Sequence, residues 1–255
     1  MIAGHRQPQV PAMRSGPALG PVFVAEYRLL LRSVCTVGRL IAIGLLAALS
    51  FLTAIAVAAG SPIDPLARGV GFVNGNIATL IPVAVLVFGA AVLGDLIDDG
   101  SLVYLWLRPV PSWVHVLAAW AATVTVVVPL VLVPVVVATA IIDTSPQLVG
   151  AAALGGFVAV MGYAGLFVTL GVRFKRALPW GLVYILIWEG FVASAGKTAT
   201  KLALRSYVRS ILSSMTDVQL KLGTFSLAVG IIVPLVAGAV ALLYASRRLA
   251  KTDVA

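Results

Sequence analysis

The sequence predicts an all-α integral membrane protein, with six transmembrane helices, an amphipathic N-terminal helix and an amphipathic segment before the last span. Three observations predict it. Of the 255 residues, 61% are hydrophobic and only 11% are charged, whereas soluble domains run near 45–50% apolar and about 25% charged. The apolar residues gather in runs of roughly 18 or more, the length that a ~30 Å hydrocarbon core demands at about 1.5 Å per residue. The basic residues, 18 Lys plus Arg against 9 Asp plus Glu, sit in short stretches between those runs. That placement fits membrane orientation better than nucleic-acid binding. A single cysteine, Cys35, excludes an intrachain disulfide and a cluster of thiolate ligands.

Residues 1–20, rich in Pro, Gly, Gln and Arg, form a flexible tail. They lack the early apolar stretch of a secretory signal. Over 21–39, Arg28, Arg32 and Arg39 recur at spacings of four and seven, hence on one face of a helix, with Glu26 roughly opposite. This spacing predicts an amphipathic helix on the cytoplasmic surface, its arginines toward lipid phosphates. The six spans follow: Ile41 to Ala59, Ile77 to Gly94, Val114 to Ile142, Leu148 to Val172, Leu178 to Ala195 and Phe225 to Tyr244. Together with the amphipathic elements they make one transmembrane domain over 21–250, and 251–255 form a cytoplasmic tail.

Orientation follows from counting Lys and Arg. With the N-terminus inside, twelve fall inside and six outside, which places both termini in the cytoplasm. Five of the six exceptions crowd into 196–223, where Lys197, Lys201, Arg205 and Arg209 stand four apart. A separate apolar stripe runs through Leu204, Tyr207, Val208, Ile211, Met215 and Val218. The segment reads as an outer interfacial helix, or as an exit-side gate that meets substrate or lipid headgroups.

Candidate chemistry is sparse. Asp95, Asp98 and Asp99 lie within five residues after span two, and clustered carboxylates hold Mg²⁺ through oxygen. This is the basis of an alternative reading, a membrane-embedded phospho-alcohol or lipid transferase. That family's paired-aspartate motif fails here, because Asp99 stands where its glycine should follow Asp98 and no Ala-Arg comes after. Instead the acids read as the N-terminal end of a short amphipathic helix through Leu102, Tyr104, Trp106 and Leu107, stopped by Pro109 and Pro111. Glu189, the one formally charged side chain within a span, reads as a carboxylate near the outer end of span five. There it snorkels outward or pairs with Lys197 or Arg205. His115, at the inner edge of span three, has no second ligand in view. No G-x-x-x-x-G-K-[ST], G-x-S-x-G or H-E-x-x-H occurs, so no nucleotide site of P-loop type is encoded.

The order of these parts resembles the type-2 ABC export permeases. The residues that carry the resemblance begin with Phe23-Val-Ala-Glu26-Tyr-Arg28-Leu-Leu-Leu-Arg32 before span one. Next come Asp99-Gly100-Ser101-Leu102 through Leu107-Arg108-Pro109-Val110 after span two, and Ile187-Trp188-Glu189 late in span five. Leu204-Arg205-Ser206-Tyr207 and the closing Tyr244-Ala245-Ser246-Arg247-Arg248 complete the set. The resemblance implies a half-transporter that binds no cofactor itself. A second permease copy or a paralogue would complete the dimer, and a separately encoded cytoplasmic ATPase would hold ATP and Mg²⁺. It implies contact with that ATPase through Asp98, Asp99, Gly100, Leu102, Tyr104, Trp106, Arg108 and Pro109. It puts Glu26, Arg28 and Arg32 on the family's entry helix, and makes Glu189, Arg205 and Tyr207 candidates for the translocation or exit path. Richness in Ala, Val, Gly and Arg points to the plasma membrane of a GC-rich bacterium.

Overall fold

The structure, a computed structural model, describes residues 19–60, 63–100, 110–194, 196–221 and 225–251. Among them there is no strand. Five helices are long and apolar enough to cross a membrane: Val37–Ala59, Pro65–Asp98, Ser112–Ile142, Pro146–Arg173 and Leu227–Lys251. The expected fifth span over 178–195 is not among them. Its helix, Ala177–Glu189, reaches only about 20 Å at 1.5 Å per residue, short of a ~30 Å core.

Helix α1 (Leu19–Val34) buries Glu26, Leu30 and Val34, one face at a spacing of four, and leaves Arg28 and Arg32 exposed. The sequence predicts one helix to residue 39, but the chain bends at Cys35 and Thr36 and restarts as α2 (Val37–Ala59). Arg39 therefore belongs to the first span, where its Nη2 donates to Asp95 Oδ2 at 2.5 Å.

The second span begins earlier than hydropathy suggests. Asp64 caps α3 (Pro65–Ala78), accepting from the Ala67 N–H at 2.9 Å, and Pro65 sits at the first helical turn, where its missing N–H costs nothing. Helix α4 (Leu80–Asp98) continues the rod after a break at Thr79. The break lies just ahead of Pro82, whose ring clashes with the carbonyl four residues back. The third span is α5 (Ser112–Val127), a π-turn over Val128–Leu132 that holds Pro129, and α6 (Val133–Ile142). The π-turn widens the winding where proline has removed a ladder donor.

Helices α4 and α7 (Pro146–Arg173) form the centre. The α3–α4 rod and α7 run side by side in the same direction, Ile77 against Gly155, Ile81 against Gly156 and Gly89 against Phe167. Of their most apolar stretches 83% and 72% are buried, against 17% for the spans at Val37–Ala59 and Leu227–Lys251. The first and last spans are thus peripheral. The last, α11 (Leu227–Lys251), approaches α7 backbone to backbone: a Cβ on Gly165 would stand 2.5 Å from the Gly238 carbonyl oxygen. Small residues permit this closeness.

One end of the bundle carries the Cys35–Thr36 bend, Asp95 to Gly100 and Arg173 to Arg176. The other carries Asp64, Asp143 and Asp217. Helix α8 (Ala177–Val183), continued by a π-turn Tyr184–Glu189, rises from the Arg176 end, with Gly181 against Leu86, and stops halfway. After a short 3₁₀ turn and α9 (Lys197–Lys201), α10 (Leu204–Thr216) resumes. It runs along α7 from Gly162, beside Leu204, past Gly155, beside Val208, to Gly150, beside Met215. Two half-length helices, α8 and α10, thus stand where a continuous fifth span and a separate outer interfacial helix were expected. The apolar stripe of 196–223 does not face lipid: Leu204, Tyr207, Val208 and Ile211 are buried against α7 and α11.

Candidate functional site

The break between the half-helices encloses the most buried acid of the described chain. Glu189 is 0% exposed, and its neighbours are set by local winding. In an α-helix residues five apart point about 140° away from each other. The π-turn over Tyr184–Glu189 closes i to i+5, so Tyr184 and Glu189 come to one face. The Tyr184 hydroxyl donates to Glu189 Oε1 at 3.0 Å. The Tyr163 hydroxyl, from the middle of α7, donates to Oε2. The third donor is the Arg205 backbone N–H, 3.4 Å from Oε1.

That third contact explains how α10 can begin inside the bundle. The first turn of a helix has N–H groups with no partner in the helix. Ala203, at the N-cap, has no side chain able to serve them. Glu189 supplies the missing acceptor from the other half-helix, where a negative group also meets the positive end of the helix dipole. Around the carboxylate, the Tyr163 ring stacks on Phe167 with centroids 5.6 Å apart, and Phe167 meets Tyr184 edge-on at 6.2 Å. The outcome is a buried, hydrogen-bonded lock joining α7, α8 and α10. The expected snorkelling of Glu189 is overturned, because the helix ends at mid-depth and not at a surface. The Arg205 guanidinium forms no ion pair with it; the salt bridges among the described residues are Arg39–Asp95 and His115–Glu26. The side chain of Lys197 lies outside the described residues. Tyr207 is buried, stacks on Phe225 at 4.6 Å and donates its hydroxyl to the Lys201 carbonyl at 2.6 Å, bracing the break from the other side.

A second buried polar pair lies at the Arg176 end. Glu26 of α1 and His115 of α5 are both buried, with His115 Nδ1 against Glu26 Oε1. Glu26, Arg28 and Arg32 thus divide their work: the acid pins α1 to the third span and the arginines stay free of it.

The acidic group after span two is placed differently from expectation. Asp95 and Asp98 are the last turn of α4, Asp99 is its C-cap, and Gly100 has φ +70°, the left-handed residue that ends a helix. The acids therefore close α4; the short helix expected over Leu102 to Leu107 lies outside the described residues. Asp95 turns to Arg39, and Asp98 Oδ2 accepts from the Arg176 N–H at 3.2 Å. They diverge to separate partners, and among the described residues no group of three or more potential ligands could hold a metal ion. Leu102, Tyr104, Trp106, Arg108 and Pro109 lie outside the described residues, as do 1–18 of the tail.

Sequence reasoning missed Tyr163, Tyr184 and the partner of His115. A signal existed for the last: Glu26 falls on the apolar side of its helix, and a buried carboxylate requires a partner. Tyr184 carries no such signal, because its approach to Glu189 depends on π-winding. No family model matches the chain, and no curated protein matches it.

Proposed function

We propose that the chain is the membrane-spanning permease subunit of an ATP-driven exporter of the type-2 ABC kind. It works as a dimer with a second copy or a paralogue, on a separately encoded cytoplasmic ATPase that holds ATP and Mg²⁺. The observation that carries this reading is the order of parts along one chain. A helix pinned to the bundle by Glu26 and His115 precedes the first span. Acids close the second span at Asp98 and Asp99. A crossing broken at mid-depth precedes the last span. Broken helices at mid-depth are where transporters keep polar groups that a continuous helix could not offer. Lys and Arg counting favours a cytoplasmic Arg176 end, and in this reading the membrane is a bacterial plasma membrane.

In this reading the loop from Asp98 to Pro109, with Leu102, Tyr104, Trp106 and Arg108, meets the ATPase. Buried aromatic anchors dominate short interfaces, and truncating one often costs ~2 kcal/mol or more. Tyr104→Ala and Trp106→Ala should each lower recovery of the ATPase in a pull-down from membranes by tenfold or more (about 1.4 kcal/mol per tenfold), with the permease still inserted. Full recovery and undiminished ATP-driven transport from both variants would remove the loop from this role. The transferase alternative gains nothing from the geometry, since Asp95 and Asp98 already serve Arg39 and the Arg176 amide.

A further inference from the structure

A cleft of about 590 Å³ opens between α2 and the α3–α4 rod, within the roughly 300–1,000 Å³ of ligand sites. Its lining is mostly apolar with a few polar groups. Leu46 and Val83 line its apolar part; Asn74 and Arg209 line its polar part. One wall is formed by Gly71, Gly75 and Thr79, four residues apart and so on one face of the rod. A Cβ on either glycine would meet nothing within 4 Å, so the wall is open along its length.

Arg209 gives the cleft its chemistry. Its neighbour Val208 packs against Gly155, nine residues into α7, which places it ~14 Å from the Asp143 end of that helix. Arg209 Nε donates to Asn74 Oδ1 at 2.6 Å, and Nη1 to the Lys221 carbonyl at 3.5 Å, so the guanidinium is tied between α3 and the segment that precedes the last span. Among the described residues no carboxylate pairs with it. An arginine held at this depth without an acid is costly unless an anion completes the site. It is also one of the basic residues that break the Lys and Arg pattern, and an anionic partner accounts for its place.

We propose that the cleft holds one acyl chain of an anionic phospholipid, with the headgroup phosphate on the Arg209 guanidinium and Asn74 fixing the guanidinium's plane. The chain lies along Gly71, Gly75 and Thr79 toward Leu46. A net-negative lipid neutralises the arginine, whereas a zwitterionic lipid brings its own cation to the same place. The site stands apart from the export reading and holds whichever way that is decided.

Native mass spectrometry of the full chain, purified in detergent with phosphatidylglycerol or phosphatidylcholine, tests it. The unaltered protein should retain phosphatidylglycerol about tenfold over phosphatidylcholine, the scale of one charge-assisted hydrogen-bonded contact. Arg209→Gln should abolish the preference and Arg209→Lys should keep most of it. Gly75→Leu, which fills open space and spares the fold, should reduce retention of both lipids several-fold. Millimolar inorganic phosphate should not displace the lipid. The proposal is overturned by an unchanged preference in Arg209→Gln, by unchanged retention in Gly75→Leu, or by displacement with inorganic phosphate, which would make this a free-anion site. It is equally overturned if Gly75→Cys, in a Cys35→Ser background, forms interchain disulfides in membranes, which would show a second copy covering the cleft. Should Arg209→Gln fail to insert, Gly75→Leu decides alone.

Discussion

A buried carboxylate is tolerated only where its acceptors are filled, and Glu189 meets that condition with donors from three elements. The expectation that it reaches a surface rested on counting residues along an uninterrupted span. Burial among these donors makes its removal costly. Tyr163→Phe leaves Glu189 Oε2 without its phenol, and Glu189→Gln leaves the Tyr163 hydroxyl a weaker partner. Each should cost about 1–3 kcal/mol in denaturant unfolding from detergent. Because both changes break one contact, the double variant should lose at least ~1 kcal/mol less than the sum of the singles. Additivity to within about 0.5 kcal/mol would show that the contact contributes nothing. By contrast, the Arg39–Asp95 pair is half-exposed at the acid and belongs with the weak surface pairs.

At the level of elements, close packing decides which helices are central. Where α7 meets α11, glycine backbones touch at Gly165 and Gly238, so an added side chain must separate the helices. Gly165→Leu should lower the yield of folded protein sharply, at ~3 kcal/mol or more, as overpacking against backbone does. Gly44→Leu, whose Cβ meets nothing within 4 Å on the peripheral α2, should stay within about 0.5 kcal/mol. Detergent-purified yield and unfolding of the two variants compare them directly, and equal behaviour would contradict the backbone contact. Hydropathy found the long spans but not α3 or α10. Helix α3 carries Arg68, Asn74 and Asn76, and α10 buries Ser206 and Ser210, so neither reads as membrane-depth helix. Some of their polar groups find partners within the bundle: Asn74 accepts from Arg209, and Ser210 donates to the Ser206 carbonyl.

Across the whole molecule, α8 starts at the Arg176 end of the bundle and α10 finishes at the Asp217 end, so the chain passes from one end to the other without a continuous fifth span. Helix α2 starts near Asp95, and α11 ends with the Ser246 carbonyl accepting from Ser112; both ends lie at the Arg176 end of the bundle. With Cys35→Ser as background, Thr144→Cys should be labelled by an impermeant thiol reagent added to intact cells, and Asp99→Cys should not, because Lys and Arg counting puts the latter inside. Labelling of position 99 from outside would invert the topology, and labelling of both would deny that α5 and α6 cross.

Composition and periodicity alone determined that the chain is all-helical, that its long apolar runs are membrane-length, and that Arg28 and Arg32 lie opposite Glu26. These follow from local rules, residue type and spacing, that hold without knowledge of neighbours. Only the tertiary structure decided that the fifth run stops halfway, that α10 is buried, and that Glu189 caps it. Those outcomes depend on contacts between residues far apart in sequence: a phenol from α7 at one oxygen, a helix N-terminus at the other. No local pattern records whether a polar residue will find its partner in water, in lipid or in another helix.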